Sequence, residues 1–238
     1  MTTESPATPR RVLCIMAHPD DTEFFCGATL ALWARDGAEV TIAIVTDGSR
    51  GSNDPEMTSE RLIPLRQAEQ RAAAQALGAK EVLFLGYPDG YLVPDLDLRR
   101  ALTRLIRQVQ PDAVVCPDPT VYWYDEGYIN HPDHRGTGQA TLDAVQPAVG
   151  SRFFFPELLA EGYPPHQVKE LYLAGALQPN VEIDVTATIG ARLAALREHR
   201  SQIQNMDQIE QWAREEGEQT GSKEAPRWLE KFRRFKFE

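Results

Sequence analysis

Cysteine is scarce in this 238-residue chain: Cys14, Cys26 and Cys116 are odd in number and show no C-x-x-C spacing. That excludes a disulfide framework and points to a reducing, cytoplasmic setting. Basic residues are outnumbered, 25 Lys and Arg against 35 Asp and Glu. The formal net charge of -10 excludes a sequence-independent nucleic-acid binder, which needs a basic face to neutralise phosphates. No run approaches the roughly 18 apolar residues that span a bilayer, and the opening MTTESPATPR has no hydrophobic stretch of signal-peptide length. No membrane partner is expected. At 42% hydrophobic the chain has material for one sizeable core. The expected organisation is a flexible tail over residues 1–10 and one domain over 11–238, its less regular part starting near residue 150.

Short apolar runs recur at Arg11-Met16, Glu39-Val45, Glu81-Leu85 and Ala113-Cys116. Amphipathic stretches lie between them and predict helices over Thr22 to Asp36, Ser59 to Leu77 and Asp97 to Gln110. Strands alternating with helices of this length predict an α/β fold with a mostly parallel sheet covered on both faces, because parallel strands need crossover connections. Ligands of such sheets bind at the carboxyl ends of the strands. Further along, Leu171 to Ala174 and Val181 to Ile183 read as short strands and Ile189 to Trp212 as one long helix. The closing RWLEKFRRFKFE reads as a terminal segment docking Trp228, Phe232 and Phe235 on the core.

Two stretches stand where the chain leaves a strand: Ala17-His18-Pro19-Asp20-Asp21, and Asn130-His131-Pro132-Asp133-His134 after a loop. Proline holds the residue before it extended and fits a first helical turn itself. His18 is therefore expected at the strand end with Pro19 opening a helix, and Asp20 and Asp21 in its first turn, about 100° apart around the axis. Adjacent aspartates repel unless hydrogen bonds or a cation hold them. One His-Pro-Asp alone is a common helix cap; two, both on the ligand-binding edge, suit a metal. A catalytic zinc site takes about three N or O side chains and keeps one position open. His18, Asp21 and His134 are the assigned ligands, with His134 chosen over His131 for lying further into the helix start, a choice spacing constrains weakly. Asp20 and His131 then have the chemistry of a general base and of a general acid or oxyanion stabiliser, with Asp133 orienting His131. His166 reads as a surface residue and His199 as a satisfied packing histidine.

These stretches resemble the PIG-L/LmbE family of zinc-dependent N-acetylglucosaminyl deacetylases. AHPDDTEFFCGATLA is similar to the family's opening motif, with Ala28 in place of its second glycine and Phe24-Phe25 in place of smaller residues. VTDGSRGS, Arg66 and Glu69 in RQAE, LGAKEVLFLGYPDG, INHPDHRGTGQAT and ALREHRSQ also correspond, over roughly residues 11–202. The resemblance implies a Rossmann-like, LmbE-like three-layer α/β/α fold and zinc on His18, Asp21 and His134. It also implies Asp20 as general base and His131 as oxyanion stabiliser or proton donor. Arg66 and Asp89 fall where members contact sugar hydroxyls or the anomeric substituent; read alone, they are a helix-surface salt-bridge residue and a turn former. The implied substrate is an N-acetylated amino sugar, and the implied assembly a trimeric or hexameric homo-oligomer. Fe2+ and Mn2+ accept the same donors. Two alternatives remain. One is an amidase for a larger thiol-sugar conjugate or another N-acyl amine, with the aromatic loop 119–130 covering its site. The other is a nucleotide-binding α/β protein, which the lack of a glycine-rich phosphate loop after the first strand opposes.

Overall fold

The computed structural model describes residues 7–237. Of the tail expected over residues 1–10, residues 1–6 lie outside that range. The chain runs β1 (Arg11–Met16), α1 (Asp21–Phe25), α2 (Gly27–Arg35), β2 (Glu39–Thr46), α3 (Ser59–Ala76), β3 (Glu81–Tyr87), α4 (Leu96–Val109) and β4 (Ala113–Pro117). It continues with α5 (Pro132–Asp143), a π-helical turn (Ala144–Ala148), α6 (Pro156–Ala160), β5 (Glu170–Ala174), β6 (Val181–Asp184), α7 (Ile189–Leu196), α8 (Met206–Thr220) and β7 (Leu229–Lys236).

Among the described residues, seven strands share one sheet in the order β3-β2-β1-β4-β5-β7-β6. The strands from β1 to β5 run parallel, as the crossovers require, and β7 is antiparallel to both its neighbours. Successive residues of β1 point to opposite faces. Val12, Cys14 and Met16 join a core under α2, α3 and α7, while Leu13 and Ile15 join a second core under α4 and α5. The result is the expected three-layer α/β/α arrangement. Strand order reverses between β1 and β4, so their outgoing loops diverge and leave a crevice at the carboxyl edge. Both histidine stretches follow these two strands.

Four local expectations change. The helix over Thr22 to Asp36 is two helices, broken at Cys26 (φ -155°, ψ 13°). Glu230 on β7 accepts from the N–H groups of Ala28 (3.1 Å) and Thr29 (2.7 Å), while Arg192 on α7 donates to the carbonyls of Glu23 and Phe24. Side chains from far along the chain thus take the backbone groups that a continuous helix would pair. The helix over Ile189 to Trp212 is likewise α7 and α8, because the linker turns in to give Ser201 to the Glu69 carboxylate and His199 to Glu23. The terminal segment is a strand: Phe232 is fully buried and Trp228 packs on the core, but Phe235 is exposed. His166 is half-buried, with Nε2 2.7 Å from the Pro111 carbonyl, rather than a free surface residue. The three cysteines are buried free thiols.

Candidate active site

At the end of β1 the chain turns sharply. The His18 N–H donates to Asp21 Oδ2 (2.7 Å) and the Asp21 N–H returns to the His18 carbonyl (3.3 Å). The turn forces Asp20 to φ 101°, the left-handed region that a non-glycine residue enters at a cost. Pro19 therefore sits in the turn and does not open the helix, and Asp20 precedes the first helical turn instead of lying in it. The two carboxylates do diverge: Asp21 reaches the histidines, and Asp20 is held by Arg66 Nη2 at 3.3 Å.

From the β4 side, His131 caps α5, Pro132 opens it, and His134 lies one turn in. His18 Nδ1 is 3.3 Å from His134 Nε2 and 3.3 Å from Asp21 Oδ2, and His134 Nε2 is 3.1 Å from Asp21 Oδ1. All three residues are buried. Their outer nitrogens are also occupied: His134 Nδ1 is 2.9 Å from the Asn130 side-chain oxygen, and His18 Nε2 is 3.2 Å from Asp89 and 3.3 Å from Asp133. Oxygen acceptors there place the ring protons outward, so the inner nitrogens present lone pairs to one another and to a carboxylate. Such a donor set suits a divalent cation. The field agrees: burial alone pulls the His18 imidazole down, yet Asp21, Asp133 and Asp89 hold its pKa up at about 12. A positive charge is favoured at this point, and the residues fit a metal.

The remaining predicted residues gather around this cluster. Asp20 is pushed up to about 7, by burial first and by the Asp21 charge second, against the pull of Arg66. His131, half-exposed, is pulled down by burial and by its proximity to His18. Its Nδ1 accepts from the Asp133 backbone N–H (3.2 Å), which leaves the ring proton on Nε2. The Asp133 carboxylate is 3.9 Å from that Nδ1; it accepts instead from the Gly90 and Leu92 N–H groups and approaches His18. Arg66 is buried rather than at the helix surface and donates to the carbonyls of Pro19 (2.6 Å) and Gly48 (3.0 Å). Asp89 is buried as well and accepts from the Arg50 N–H (3.0 Å). A cavity of about 380 Å³ opens over the cluster, lined by His18, Asp20, Asp21, His131 and His134 together with Arg66 and Asp89. Phe24, Arg50 and Tyr128 also line it. Asn130, directly before His131, was legible as a partner four residues from His134. Glu23 and Arg50 lie within the stretches AHPDDTEFFCGATLA and VTDGSRGS but were given no role, and Gln70 carried no local signal.

Fold and geometry define an α/β protein with a buried His/Asp/His cluster, of a kind that could hold a cation, at the sheet's switch point. Residues 13–145, more than half of the chain, match the family model PIG-L, described as GlcNAc-PI de-N-acetylase. The chain is 32% identical over 194 residues to the diacetylchitobiose deacetylase of Thermococcus kodakarensis, spanning 82% of this chain and 70% of that one. The structure of N,N'-diacetylchitobiose deacetylase from Pyrococcus horikoshii superposes with a TM-score of 0.85 at 32% identity, over 96% of this chain and 84% of that chain. A 4-carboxy-2-hydroxymuconate hydratase from Pseudomonas putida KT2440 shares the fold alone, with a TM-score of 0.77 at 21% identity over 96% of both this chain and, within a percent, that one (97%). One fold therefore carries different chemistries, and the site has to decide. The chain belongs to the PIG-L family.

Proposed function

We propose that this protein is a metal-dependent deacetylase that removes the acetyl group from an N-acetylglucosamine-type substrate, giving acetate and a free amine. The observation that carries the reading is the convergence of His18 Nδ1, His134 Nε2 and the Asp21 carboxylate within 4.8 Å of one another on the cavity floor. We take these three residues as the ligands of Zn2+, with Fe2+ and Mn2+ accepting the same donors. When bound, such an ion supplies Lewis acidity toward the amide carbonyl and acidifies water.

The chain's own groups supply the rest. Asp20 takes a proton from the attacking water; a carboxyl held up near 7 is matched to that task at neutral pH. His131, neutral and protonated at Nε2, donates to the oxygen on which negative charge grows. Asp20 then returns its proton to the departing nitrogen as the C–N bond breaks. Asp133 holds both imidazoles, His131 through its N–H and His18 through its carboxylate. Arg66 and Asp89 are taken as the sugar-facing pair, since both line the cavity.

Relatives named for acetylated-sugar deacetylation favour acetyl over a larger acyl conjugate. The aspartates of the cavity floor oppose a nucleotide, whose phosphates they would repel. Among the described residues no helix is long and apolar enough to cross a membrane. The single sheet supports reading 11–238 as one catalytic unit. Buried free thiols suit a cytoplasmic location, and exposed Trp123 and Ile129 support association of copies into a trimer or hexamer, which light scattering tests.

The test is acetate release from N,N'-diacetylchitobiose and a panel of N-acetylglucosamine conjugates, with metal content measured alongside. Asp20→Asn is expected to keep its metal and fold while losing about 100-fold or more of its turnover. Near-normal turnover in that variant would remove the general-base assignment.

A further inference from the structure

Behind Asp20 lies a buried chain of polar groups that the reaction leaves unused. The Asp20 N–H donates to Gln70 Oε1 (2.9 Å), the Gln70 amide Nε2 donates to Glu23 Oε1 (2.9 Å), and Glu23 Oε2 lies 3.1 Å from His199 Nε2. Gln70, Glu23 and His199 are each fully buried. Burying a carboxylate with an imidazole rarely adds to stability over well-packed apolar residues, so the pair invites another explanation.

The order of donors and acceptors provides one. An amide can face either way, with its oxygen and nitrogen exchanged. A carboxylate accepts only, so Glu23 forces the NH2 end of Gln70 toward itself and leaves the oxygen facing Asp20. His199 in turn donates to the other Glu23 oxygen and holds that carboxylate in place. Asp20 is the residue that needs holding: at φ 101° its backbone sits in the left-handed region, at a cost of order 1–3 kcal/mol. Its carbonyl is also committed, accepting from the Glu23 and Phe24 N–H groups, so the peptide is clamped on both sides of the Cα atom. The direction of the Cα–Cβ bond, and with it the aim of the carboxylate into the cavity, follows from that clamp.

We propose that Gln70, oriented by the Glu23–His199 pair, is a positioning residue that locks Asp20 in its left-handed conformation and aims its carboxylate at the reacting water. This rests on the reading of Asp20 as the general base. Misplacing a catalytic group by about 1 Å costs on the order of 100-fold in rate.

The experiment is a double-mutant cycle on the metal-loaded protein with N,N'-diacetylchitobiose. Gln70→Met, similar in size but without donor or acceptor, is expected to lower kcat about 100-fold, with KM and metal per chain unchanged. In an Asp20→Asn background the same substitution is expected to add nothing, because the group it aims is already disabled. A merely structural role lowers kcat equally in both backgrounds, and that result overturns the proposal. Should Gln70→Met fail to fold, Gln70→Leu tests the same point: it too leaves the Asp20 N–H without its acceptor, and wild-type kcat there overturns the proposal as well. The two readings fail separately. Full turnover in Asp20→Asn removes the base and the positioning role with it, whereas an inert Asp20→Asn beside a fast Gln70→Met leaves the base standing and removes Gln70 alone.

Discussion

Replacing Asn130 by alanine tests the proposed metal site through a residue outside it. Asn130 is buried; its side-chain oxygen lies 2.9 Å from His134 Nδ1 and its amide nitrogen donates to the Val121 carbonyl at 2.7 Å. The first contact keeps the ring proton of His134 on Nδ1, which leaves Nε2 with the lone pair directed at Asp21 and His18. Losing such an outer partner weakens metal binding 10–100-fold, or about 1.4–2.8 kcal/mol. The second contact matters only for folding: an unpaired buried carbonyl costs about 1–3 kcal/mol, within the total stability of an ordinary domain. Asn130→Ala is therefore expected to remain folded while its zinc dissociation constant rises 10–100-fold, measured by competition with a chelating dye. Asn130→Asp, which keeps an acceptor for Nδ1–H, is expected to recover most of the affinity. Unchanged zinc affinity in Asn130→Ala would refute the assignment of His134 Nε2 as a ligand atom.

Other substitutions probe neighbouring links. His134→Ala removes one of the three donors, and the purified variant is expected to hold no stoichiometric zinc by elemental analysis; full occupancy contradicts the ligand set. Glu230→Ala strands the Ala28 and Thr29 N–H groups and removes the carboxylate 3.8 Å from the buried Arg192 guanidinium. Breaking a buried pair of this kind costs about 3–5 kcal/mol; a urea midpoint like that of the unsubstituted protein would show that the α1–α2 break does not depend on it. Asp133 gives a pH test in metal-free protein. Burial alone raises its carboxyl, but contacts from His18 and the Gly90 and Leu92 N–H groups hold it below its ordinary 3.8. A depressed folded value means stability that is present above 3.8 and lost as pH falls through that lower value. The difference in urea midpoint between the unsubstituted protein and Asp133→Asn is thus expected to be largest near neutral pH and to close below 3.8, and a gap that stays constant with pH counts against it.

Much of the site was legible because its chemistry is concentrated in two short stretches. His18, Asp20, Asp21, His131, Asp133 and His134 are adjacent or near-adjacent residues at strand ends, and the crevice between β1 and β4 brings both stretches to one cavity. The orientation of Asp133 was less legible. Its neighbour in sequence, His131, meets only its backbone N–H, while its carboxylate turns to Gly90, Leu92 and His18 across the crevice. Arg66 reads as a surface residue on a helix whose exposed face carries similar charges; burial against Pro19 and Gly48 is a matter of where α3 packs.

The amino-acid order by itself determined the alternation of strands and helices, the parallel run of the first strands and the residue types at their ends. Those follow from side-chain periodicity and local backbone preference, which act over a few residues. Tertiary structure alone decided where helices break, what the last segment becomes and how Asp20 is held. The break at Cys26 is stabilised by Glu230, 202 positions from Ala28. The charged terminal segment becomes a strand because β5 and β6 offer it an edge on either side. Asp20 keeps its left-handed backbone through Gln70, 50 positions away. In each case the deciding partner is a polar group, of a side chain or of a strand edge, whose hydrogen-bonding needs can be met only once distant parts of the chain have packed together.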